Sequence, residues 1–242
     1  GENTENLYDL SPGTYTLTVS DENECEVITS IDITEAEEMT ISETHSDYTG
    51  YGVSCSGASD GEIDITVTGG TETYTYIWTG VDADGPSVSG LAAGTYSVIV
   101  EDENGCNASI SVDITEADQM EISETHSDYT GYGVSCSGAS DGEIDITVTG
   151  GTGNYTYNWT GVDADGPSVN DLAAGTYSVI VEDENGCDVS ISVELIETDD
   201  MTISETHSDY TGYGVSCPTA NDGFIDIVVT GGTGNYTYNW TG

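Results

Sequence analysis

The sequence predicts an all-β protein, because apolar and polar residues alternate with period two along its segments and helical periodicity is missing. In the segment GEIDITVTGG, Ile63, Ile65 and Val67 fall on one face, and acidic and hydroxyl residues fall on the other. Glycine- and asparagine-rich turns separate such segments, and the same order of segments recurs along the chain. We therefore expect short strands joined by tight turns, in repeated units.

The chain is a tandem array of an 81-residue unit. The motif SETHSDYTGYGVSC opens at Ser42, Ser123 and Ser204, and the residues that follow Ser42 recur letter for letter after Ser123 as far as Thr152. Both ends fall inside a unit, so we expect the chain to be a window of a longer protein. The sequence predicts four segments: the C-terminal part of a repeat at 1–38, complete repeats at 39–119 and 120–200, and the N-terminal part of a repeat at 201–242.

The strands of the complete repeat at 39–119 can be predicted in chain order. An opening strand is expected around 39–45, followed by strands in GEIDITVTGG, TYTYIW, GTYSVIVED and ASISVDI. The segment VDADGPSVSG, between TYTYIW and GTYSVIVED, carries turn-forming residues. In DENGC, Asn104 and Gly105 suit a type I′ hairpin turn. The repeat is therefore expected to hold about five to seven strands.

This strand count favours a small sandwich of immunoglobulin type. Trp78 fits its core tryptophan, and Tyr96 in LAAGTY fits a tyrosine corner. Tyr74, Tyr76 and Trp78 share one face, which favours core packing over an exposed sugar-binding platform. The linkers ITEAEE, ITEADQ and IETDD leave little freedom between units. Together these features predict tandem immunoglobulin-like β-sandwich repeats of 81 residues that form an elongated array.

The charge of the chain restricts its partners. It has 46 aspartates and glutamates and no lysine or arginine, which gives a formal net charge of −46. Nucleic acid is therefore not expected as a partner, because binding its phosphates requires cationic side chains. Repulsion among the carboxylates favours solubility and extension of the array. No run of 18 apolar residues occurs, so we expect no membrane insertion in this segment.

Six cysteines occur as two per repeat, without the C-x-x-C spacing or the neighbouring histidines of zinc sites. This pattern favours disulfides and an oxidising compartment. One uniform pairing joins cysteines 51 residues apart within a repeat, and we favour it. The other joins cysteines 30 residues apart across the linker. The favoured pairs are Cys55–Cys106 and Cys136–Cys187, and the alternative pairs are Cys25–Cys55, Cys106–Cys136 and Cys187–Cys217.

Two DADG segments resemble half of a calcium-binding loop, which needs alternating oxygen ligands and a glycine at the bend. The candidate ligands are Asp82, Asp84, Asp163 and Asp165. A solvated turn explains the same residues, because the third ligand and the distant glutamate of an EF-hand are missing. Calcium is thus the one cofactor that the sequence suggests. The histidine that each repeat carries in SETHSD is interpreted as a polar surface residue, since no nucleophile elbow accompanies it.

The series VSCSGASDGEIDITVTGGT, YTYIWTG and LAAGTYSVIVEDENGC resembles the SprB-type repeat of Bacteroidetes cell-surface proteins. The resemblance covers the complete unit and recurs across almost the whole chain. It implies β-sandwich repeats in very large adhesins that are exported by the type IX secretion system and serve attachment or gliding motility. The chain departs from the family pattern in its longer, more polar SETHSDYTGYG segment and in its complete lack of basic residues.

The sequence therefore predicts a non-enzymatic, extracellular protein: the stalk of a large secreted filament or adhesin at the cell surface. The expected partners are neighbouring repeats or filaments of the same protein, surface glycans, and an outer-membrane anchoring complex. The alternative function is a repeated, calcium-assisted module that binds a glycan or a partner through loops such as VDADGPSV. An enzyme is not expected, because every candidate group for catalysis is copied from repeat to repeat.

Overall fold

The computed structural model describes residues 5–242, and within them every regular element is a β-strand in an antiparallel pair. The all-β prediction is therefore confirmed. None of the described residues belongs to a helix with the length and hydrophobicity that a bilayer crossing requires. The chain divides into two compact units, which are described separately below.

Unit 1 comprises the residues up to Asp47 together with Ser59–Thr115. It contains one two-stranded sheet, β1-β2, and two three-stranded sheets with the orders β3-β4-β6 and β5-β7-β8. Its strands are β1 (Gly13–Ser20), β2 (Glu26–Ile33), β3 (Thr40–His45), β4 (Ser59–Thr68), β5 (Tyr74–Thr79), β6 (Ser87–Ala92), β7 (Gly94–Asp102) and β8 (Asn107–Ile114).

Unit 2 comprises Tyr48–Ala58 together with Glu116–Gly242. Its strands are β9 (Glu121–His126), β10 (Ser140–Thr149), β11 (Thr156–Thr160), β12 (Ser168–Ala173), β13 (Gly175–Glu182), β14 (Asp188–Leu195), β15 (Thr202–His207) and β16 (Ile225–Thr230). The three-stranded sheets have the orders β12-β10-β9 and β11-β13-β14, and β15 pairs with β16. The sheet orders of the complete repeats thus correspond strand for strand.

The core of unit 2 takes side chains from both of its three-stranded sheets. Ile144 of β10 lies in the same buried cluster as Trp159 of β11 and Val179 and Val181 of β13. The period-two alternation of these strands places one apolar face of each sheet against the other. Each fully buried aliphatic side chain contributes roughly 1.5–3 kcal/mol of transfer free energy.

The strand prediction is confirmed in number, since residues 39–119 and 120–200 each contain six strands. It is wrong at β6, because part of the segment VDADGPSVSG forms a strand rather than a continuous turn. Val88 and Leu91 are the buried residues of β6, and they are three positions apart. Gly90, with φ +73°, produces an irregular register against β4 that breaks the alternation. The period-two signal is therefore absent there.

The DENGC turn differs from the predicted type I′ geometry. A type I′ turn needs positive φ at both central residues, but in this turn Gly105 has φ +84° and Asn104 does not have a positive φ. The amide of Gly105 donates to the carbonyl of Asp102, and the amide of Asp102 donates to the carbonyl of Cys106. This pattern is a longer hairpin loop in which a single glycine takes the left-handed conformation.

Two aromatic predictions are confirmed. Trp78 is buried in the core, and its indole N–H donates to the carbonyl of Gly85 at 2.9 Å. The hydroxyl of Tyr96 donates back to the carbonyl of Ala92 at 3.0 Å, as expected for a tyrosine corner. The Tyr177 hydroxyl repeats this bond with Ala173 in unit 2.

The predicted boundaries 1–38, 39–119, 120–200 and 201–242 stay a prediction, and residues 1–4 of the first segment lie outside the described part of the chain. One feature departs from a simple series of repeats. Residues 48–58, which belong by sequence to the repeat at 39–119, are part of unit 2. This segment carries Cys55 and forms the site described next.

Candidate functional site

The candidate site lies in unit 2, where a loop from one repeat meets a turn of the next. We call Tyr48–Ala58 the cysteine loop and Asp183–Cys187 the hairpin turn, which joins β13 to β14. A disulfide connects Cys55 of the loop to Cys187 of the turn, and the two Cα atoms are 5.7 Å apart. The bond closes a segment of 132 residues.

The cysteine loop is shaped by its own backbone. Tyr48 and Tyr51 exchange amide-to-carbonyl bonds of 2.7 and 3.2 Å, and the amide of Ala58 donates to the carbonyl of Cys55. Val53, between these two turns, is completely buried and anchors the loop. The Gly57 amide donates to a carboxylate oxygen of Glu116 at 2.6 Å. The loop is therefore held at both ends and at its centre.

The hairpin turn is organised by the buried carboxylate of Asp183. One carboxylate oxygen accepts the amides of Asn185 and Cys187, each at 2.9 Å. The other accepts the amide of Thr152 at 2.8 Å and its hydroxyl at 3.1 Å. A short aspartate that satisfies several nearby amides in this way fixes a turn more firmly than backbone bonds alone.

Asn185 connects the turn to the loop through its side chain. Its amide nitrogen donates to the carbonyl of Tyr48 at 3.1 Å and to that of Ser54 at 3.3 Å. Its amide oxygen accepts the hydroxyl of Thr49 at 2.7 Å. Both side-chain hydrogens and the oxygen of Asn185 are thus paired, so the polar contact beside the disulfide is fully satisfied.

The electrostatics of the site follow from the same bonds. Burial by itself would raise the pKa of Asp183, but the hydrogen bonds from Cys187, Thr152 and Asn185 outweigh it and hold the pKa below its ordinary value. The equivalent Asp102 in unit 1 shows the same lowered pKa, with burial again opposed by amides of Cys106, Thr71 and Asn104. Both aspartates therefore stay ionised at neutral pH and act as fixed acceptors.

The structure contradicts the predicted disulfides. Cys55 bonds to Cys187, because the cysteine loop packs within unit 2 and brings its sulfur to the hairpin turn of the following repeat. The other four cysteines are exposed free thiols. The pairs that the structure does not contain are Cys55–Cys106, Cys136–Cys187, Cys25–Cys55, Cys106–Cys136 and Cys187–Cys217.

The predicted calcium ligands are exposed on loops of the two complete repeats: Asp82, Asp84, Asp163 and Asp165. Within residues 5–242, no group of three acidic, histidine or cysteine side chains is arranged to hold a metal ion. The glycine carbonyls of both DADG segments accept the indole N–H groups of the core tryptophans. These segments therefore cover the core tryptophans, and calcium binding stays a prediction.

The histidines and the aromatic face have structural surroundings. His45, His126 and His207 are on the surface, each with its Nδ1 about 3 Å from a glutamate two residues earlier. The face formed by Tyr74, Tyr76 and Trp78 points toward the core rather than forming an exposed platform, since Trp78 is buried and the tyrosines are half-buried.

Sequence reasoning missed the residues that recognise one another at the site. Thr49 and Asn185 lie in DYTG and DENG, which look like ordinary turn formers. Their pairing across 136 residues depends on where the loop lies in three dimensions. A usable signal was present, because both tetrapeptides stand close to a cysteine at a constant distance in each copy.

Comparison with known proteins agrees with the motifs. A search of curated proteins found no match to the chain. The family model of the SprB repeat matches residues 53–83, 134–164 and 215–242, whose starts are 81 residues apart. Each match begins two residues before the cysteine of the loop motif. The chain is therefore similar to the SprB repeat at three successive positions along its length.

Proposed function

We propose that this chain is part of the stalk of a large secreted filament or adhesin at the cell surface, where it serves attachment or gliding motility. The observation that carries the proposal is the tandem SprB repeat, which is typical of cell-surface proteins. A stalk needs many similar modules joined in one chain, and the repetition of a single unit supplies them.

The strand orders support an immunoglobulin-type sandwich as the module of this stalk. In residues 120–200, the sheets β12-β10-β9 and β11-β13-β14 share one core, and Tyr177 forms a tyrosine corner. Closed modules of this kind bury their own apolar faces and leave mainly polar surface, as an exposed stalk requires.

The disulfide and the charge support an extracellular location. A disulfide persists in oxidising surroundings, and cytosolic reductants would keep Cys55 and Cys187 as thiols. A chain without lysine or arginine offers no cleavage site to trypsin-like proteases, which is an advantage outside the cell. Its charge of −46 favours solubility and opposes side-by-side aggregation, and salt screens this repulsion.

The proposal is tested on intact cells that produce the protein. Antibodies raised against this chain should label the surface of unpermeabilised cells, and proteinase K should remove the label. An antibody against a periplasmic protein is the control for cell integrity. Labelling that appears only after permeabilisation would contradict the proposed location.

Attachment is measured with a strain that lacks the coding region of these repeats. We expect it to adhere less to glass and to host or polysaccharide surfaces, and unchanged adhesion and gliding would contradict the proposed role. Surface glycans and an outer-membrane anchoring complex are the proposed partners. A glycan array probed with the chain, with calcium and with chelator, distinguishes a stalk from a calcium-assisted binding module.

A further inference from the structure

We propose that Asn185 is a modification site: its side-chain amide is lost by deamidation when the cysteine loop leaves the hairpin turn, and the carboxylate that results opposes renewed docking of the loop. Asn185 precedes Gly186, and the sequence Asn-Gly occurs elsewhere in the chain only at Asn104–Gly105. The modification concerns the chemistry of the turn itself and does not depend on where the protein is located.

Asparagine followed by glycine is chemically labile. The backbone nitrogen of the glycine attacks the side-chain carbonyl carbon of the asparagine, so that a new C–N bond forms and ammonia leaves. Water then opens the cyclic succinimide to aspartate or isoaspartate, and the net reaction converts an amide and water into an acid and ammonia. Glycine favours the attack, because it has no side chain that restricts its backbone or shields its nitrogen. Asparagine is accordingly counted among the thermolabile residues.

In the folded chain, the contacts of Asn185 oppose this attack. The side-chain nitrogen donates to the carbonyls of Tyr48 and Ser54 at 3.1 and 3.3 Å, and the side-chain oxygen accepts the hydroxyl of Thr49 at 2.7 Å. The reaction needs this side chain to turn toward the nitrogen of Gly186, and we expect these bonds to prevent that motion. Deamidation should therefore proceed from the small population in which the loop has opened.

The chain contains a matched copy of this turn, since the sequence EDENGC occurs twice. Gly105 and Gly186 both have φ +84°, and the amide of each donates to the carbonyl of the aspartate three residues earlier, at 3.0 and 3.2 Å. The asparagines differ in their surroundings, because Asn104 is exposed and Asn185 is half-buried beneath the loop. Asn104 therefore reports the rate of the same sequence when its side chain is in contact with solvent.

The disulfide keeps the loop close to Asn185. Cys187 follows Asn185 by two residues, and Cys55 is adjacent to Ser54, which accepts one of the Asn185 hydrogen bonds. While the two sulfur atoms are joined, a loop that opens stays beside the turn and closes again quickly, because its effective concentration is high. Reduction leaves the hydrogen bonds and the packing of the loop to oppose opening.

Deamidation would remove the donor that the loop requires. The NH2 group of Asn185 faces the carbonyl oxygens of Tyr48 and Ser54, so that a carboxylate in its place would set oxygen against oxygen. The new negative charge would also have no lysine or arginine to offset it anywhere in the chain. Isoaspartate has a further effect, because it routes the main chain through the former side chain and lengthens the turn. We therefore expect modification to release the loop.

The first test compares the two asparagines in the folded, oxidised chain. The full chain is incubated at pH 8.5 and 37 °C, and the deamidated fraction at each position is followed by mass spectrometry of peptic peptides. We expect Asn185 to react at least about tenfold more slowly than Asn104, which corresponds to about 1.4 kcal/mol of opening free energy. Equal rates at the two positions would overturn the proposal.

The same incubation in 6 M guanidinium chloride with reductant is the control for sequence effects. Both asparagines should then react at the same rate, because their neighbours are identical from the preceding glutamate to the following cysteine. A slow Asn185 in the unfolded chain would show that contacts in the fold do not protect it. That result would overturn the proposal, as would a complete lack of deamidation at Asn185 under these conditions.

Reductant added to the folded chain tests the role of the disulfide. The rate at Asn185 should rise several-fold toward that at Asn104, and the rate at Asn104 should not change. Circular dichroism checks that the strands remain folded during the incubation. A rate at Asn185 that does not respond to reduction of Cys55–Cys187 would overturn the proposed link between the loop and the modification.

Thr49→Val tests the hydrogen bond to the Asn185 oxygen, because it removes the hydroxyl and keeps the branched shape. It should accelerate deamidation at Asn185, whereas Thr49→Ser, which keeps the hydroxyl, should retain the slow rate. Thr130→Val is the matched control: Thr130 has φ 59°, close to the 54° of Thr49, but its hydroxyl donates to the carbonyl of Tyr129. Equal acceleration by both valine variants would overturn the proposal in favour of general loosening.

The effect of the modification is measured with Asn185→Asp, which has the chemistry of the deamidated chain. We expect faster hydrogen exchange in residues 48–58 and faster reduction of Cys55–Cys187 by a dilute thiol. Asn104→Asp is the control and should leave both rates as they are in the unaltered chain. Exchange in residues 48–58 that is the same in all three proteins would overturn the proposed release of the loop.

Discussion

Asp183 is the residue on which the hairpin turn depends most. Its carboxylate accepts four hydrogen bonds while it is buried, and its lowered pKa reflects those bonds against the opposing effect of burial. In Asp183→Asn, an NH2 group replaces one of the two carboxylate oxygens. This donor then faces the N–H or O–H groups from which the oxygen accepted hydrogen bonds. We expect the free energy of unfolding to fall by about 1.5–3 kcal/mol, as for lost bonds to a charged group.

The pH dependence of this loss in the free energy of unfolding shows whether it comes from the ionised carboxylate of Asp183. A carboxylate whose folded pKa lies below its unfolded value of about 3.9 stabilises the fold fully above that value, and the stabilisation disappears as the pH falls through the folded pKa. Urea unfolding at pH 7, 5, 4 and 3 should therefore show the difference between the unaltered chain and Asp183→Asn shrinking below about pH 4. Asp188→Asn, an equal charge change at an exposed position, is the control and should show little loss at any pH.

The disulfide gives a second prediction at the residue scale. Replacing Cys55 and Cys187 together by serine should lower the free energy of unfolding of unit 2 by about 5 kcal/mol, the chain-entropy value for a closed loop of this length. Thermal unfolding of a dilute sample, with and without reductant, measures it, and the double variant should no longer respond to reductant. Replacing Cys106 and Cys136 by serine, where the thiols are free, should change little.

The residue scale is also where prediction from sequence reached its limit. The number and spacing of the cysteines indicated disulfides, and one is present. The partner of Cys55 could not be deduced, because 51-residue and 30-residue pairings satisfy the repeat equally well. The actual bond depends on where Tyr48–Ala58 lies in three dimensions, which the spacing of the cysteines does not determine.

At the scale of elements, Gly150 at the end of β10 offers a sharp test. It has φ +76°, and a Cβ there would overlap the backbone carbonyl of Gln119. Gly150→Ala should therefore lower the free energy of unfolding by at least about 2 kcal/mol, through left-handed strain and displacement of the 116–120 linker. Guanidinium unfolding measures the loss.

Gly166→Ala is the matched control for that prediction, because a Cβ added at Gly166 would have no other heavy atom within 4 Å and the φ of this residue is not in the left-handed region. Its carbonyl, which accepts the Trp159 indole, is retained in the variant. Similar losses at Gly150 and Gly166 would show that the contact with Gln119 does not matter.

Regular alternation made most strands predictable. The segments around β4, β7 and β8 keep their period over six or more residues, because one face of each strand packs on a core. The strand β6 was not predicted, because Gly90 is an extra residue between Val88 and Leu91. The two buried residues are therefore three positions apart, and the period-two alternation is broken. An irregular register moves the buried positions, and period-two reasoning then finds only turn residues.

At the scale of the whole molecule, the net charge of −46 determines how thermal stability should respond to salt. Repulsion among the carboxylates opposes the compact state, and salt screens it. Raising NaCl from 20 mM to 0.5 M should therefore increase the thermal midpoint, by about 2–4 °C for each kcal/mol of repulsion relieved. Calorimetry measures the midpoint, KCl at equal ionic strength should act alike, and a midpoint that falls with salt would contradict this account.

The composition predicted this charge and its effect on partners without any structure. It did not predict that residues 48–58 join unit 2, because hydrogen bonds such as those from Asn185 to the carbonyls of Tyr48 and Ser54 hold the segment there. Such contacts are formed between segments that are far apart in sequence, and each partner alone looks like an ordinary turn.

The bond between Cys55 and Cys187 also determines how the chain responds to mechanical tension. A pulling force that reaches residue 55 passes through the sulfur atoms to residue 187, so the 132-residue span between them bears no load. At about 3.4 Å per extended residue, roughly 450 Å of contour length is withheld from stretching. With the Cys55–Cys187 disulfide formed, the chain therefore extends less under tension. A reductant would allow the 132-residue span to extend under the same force.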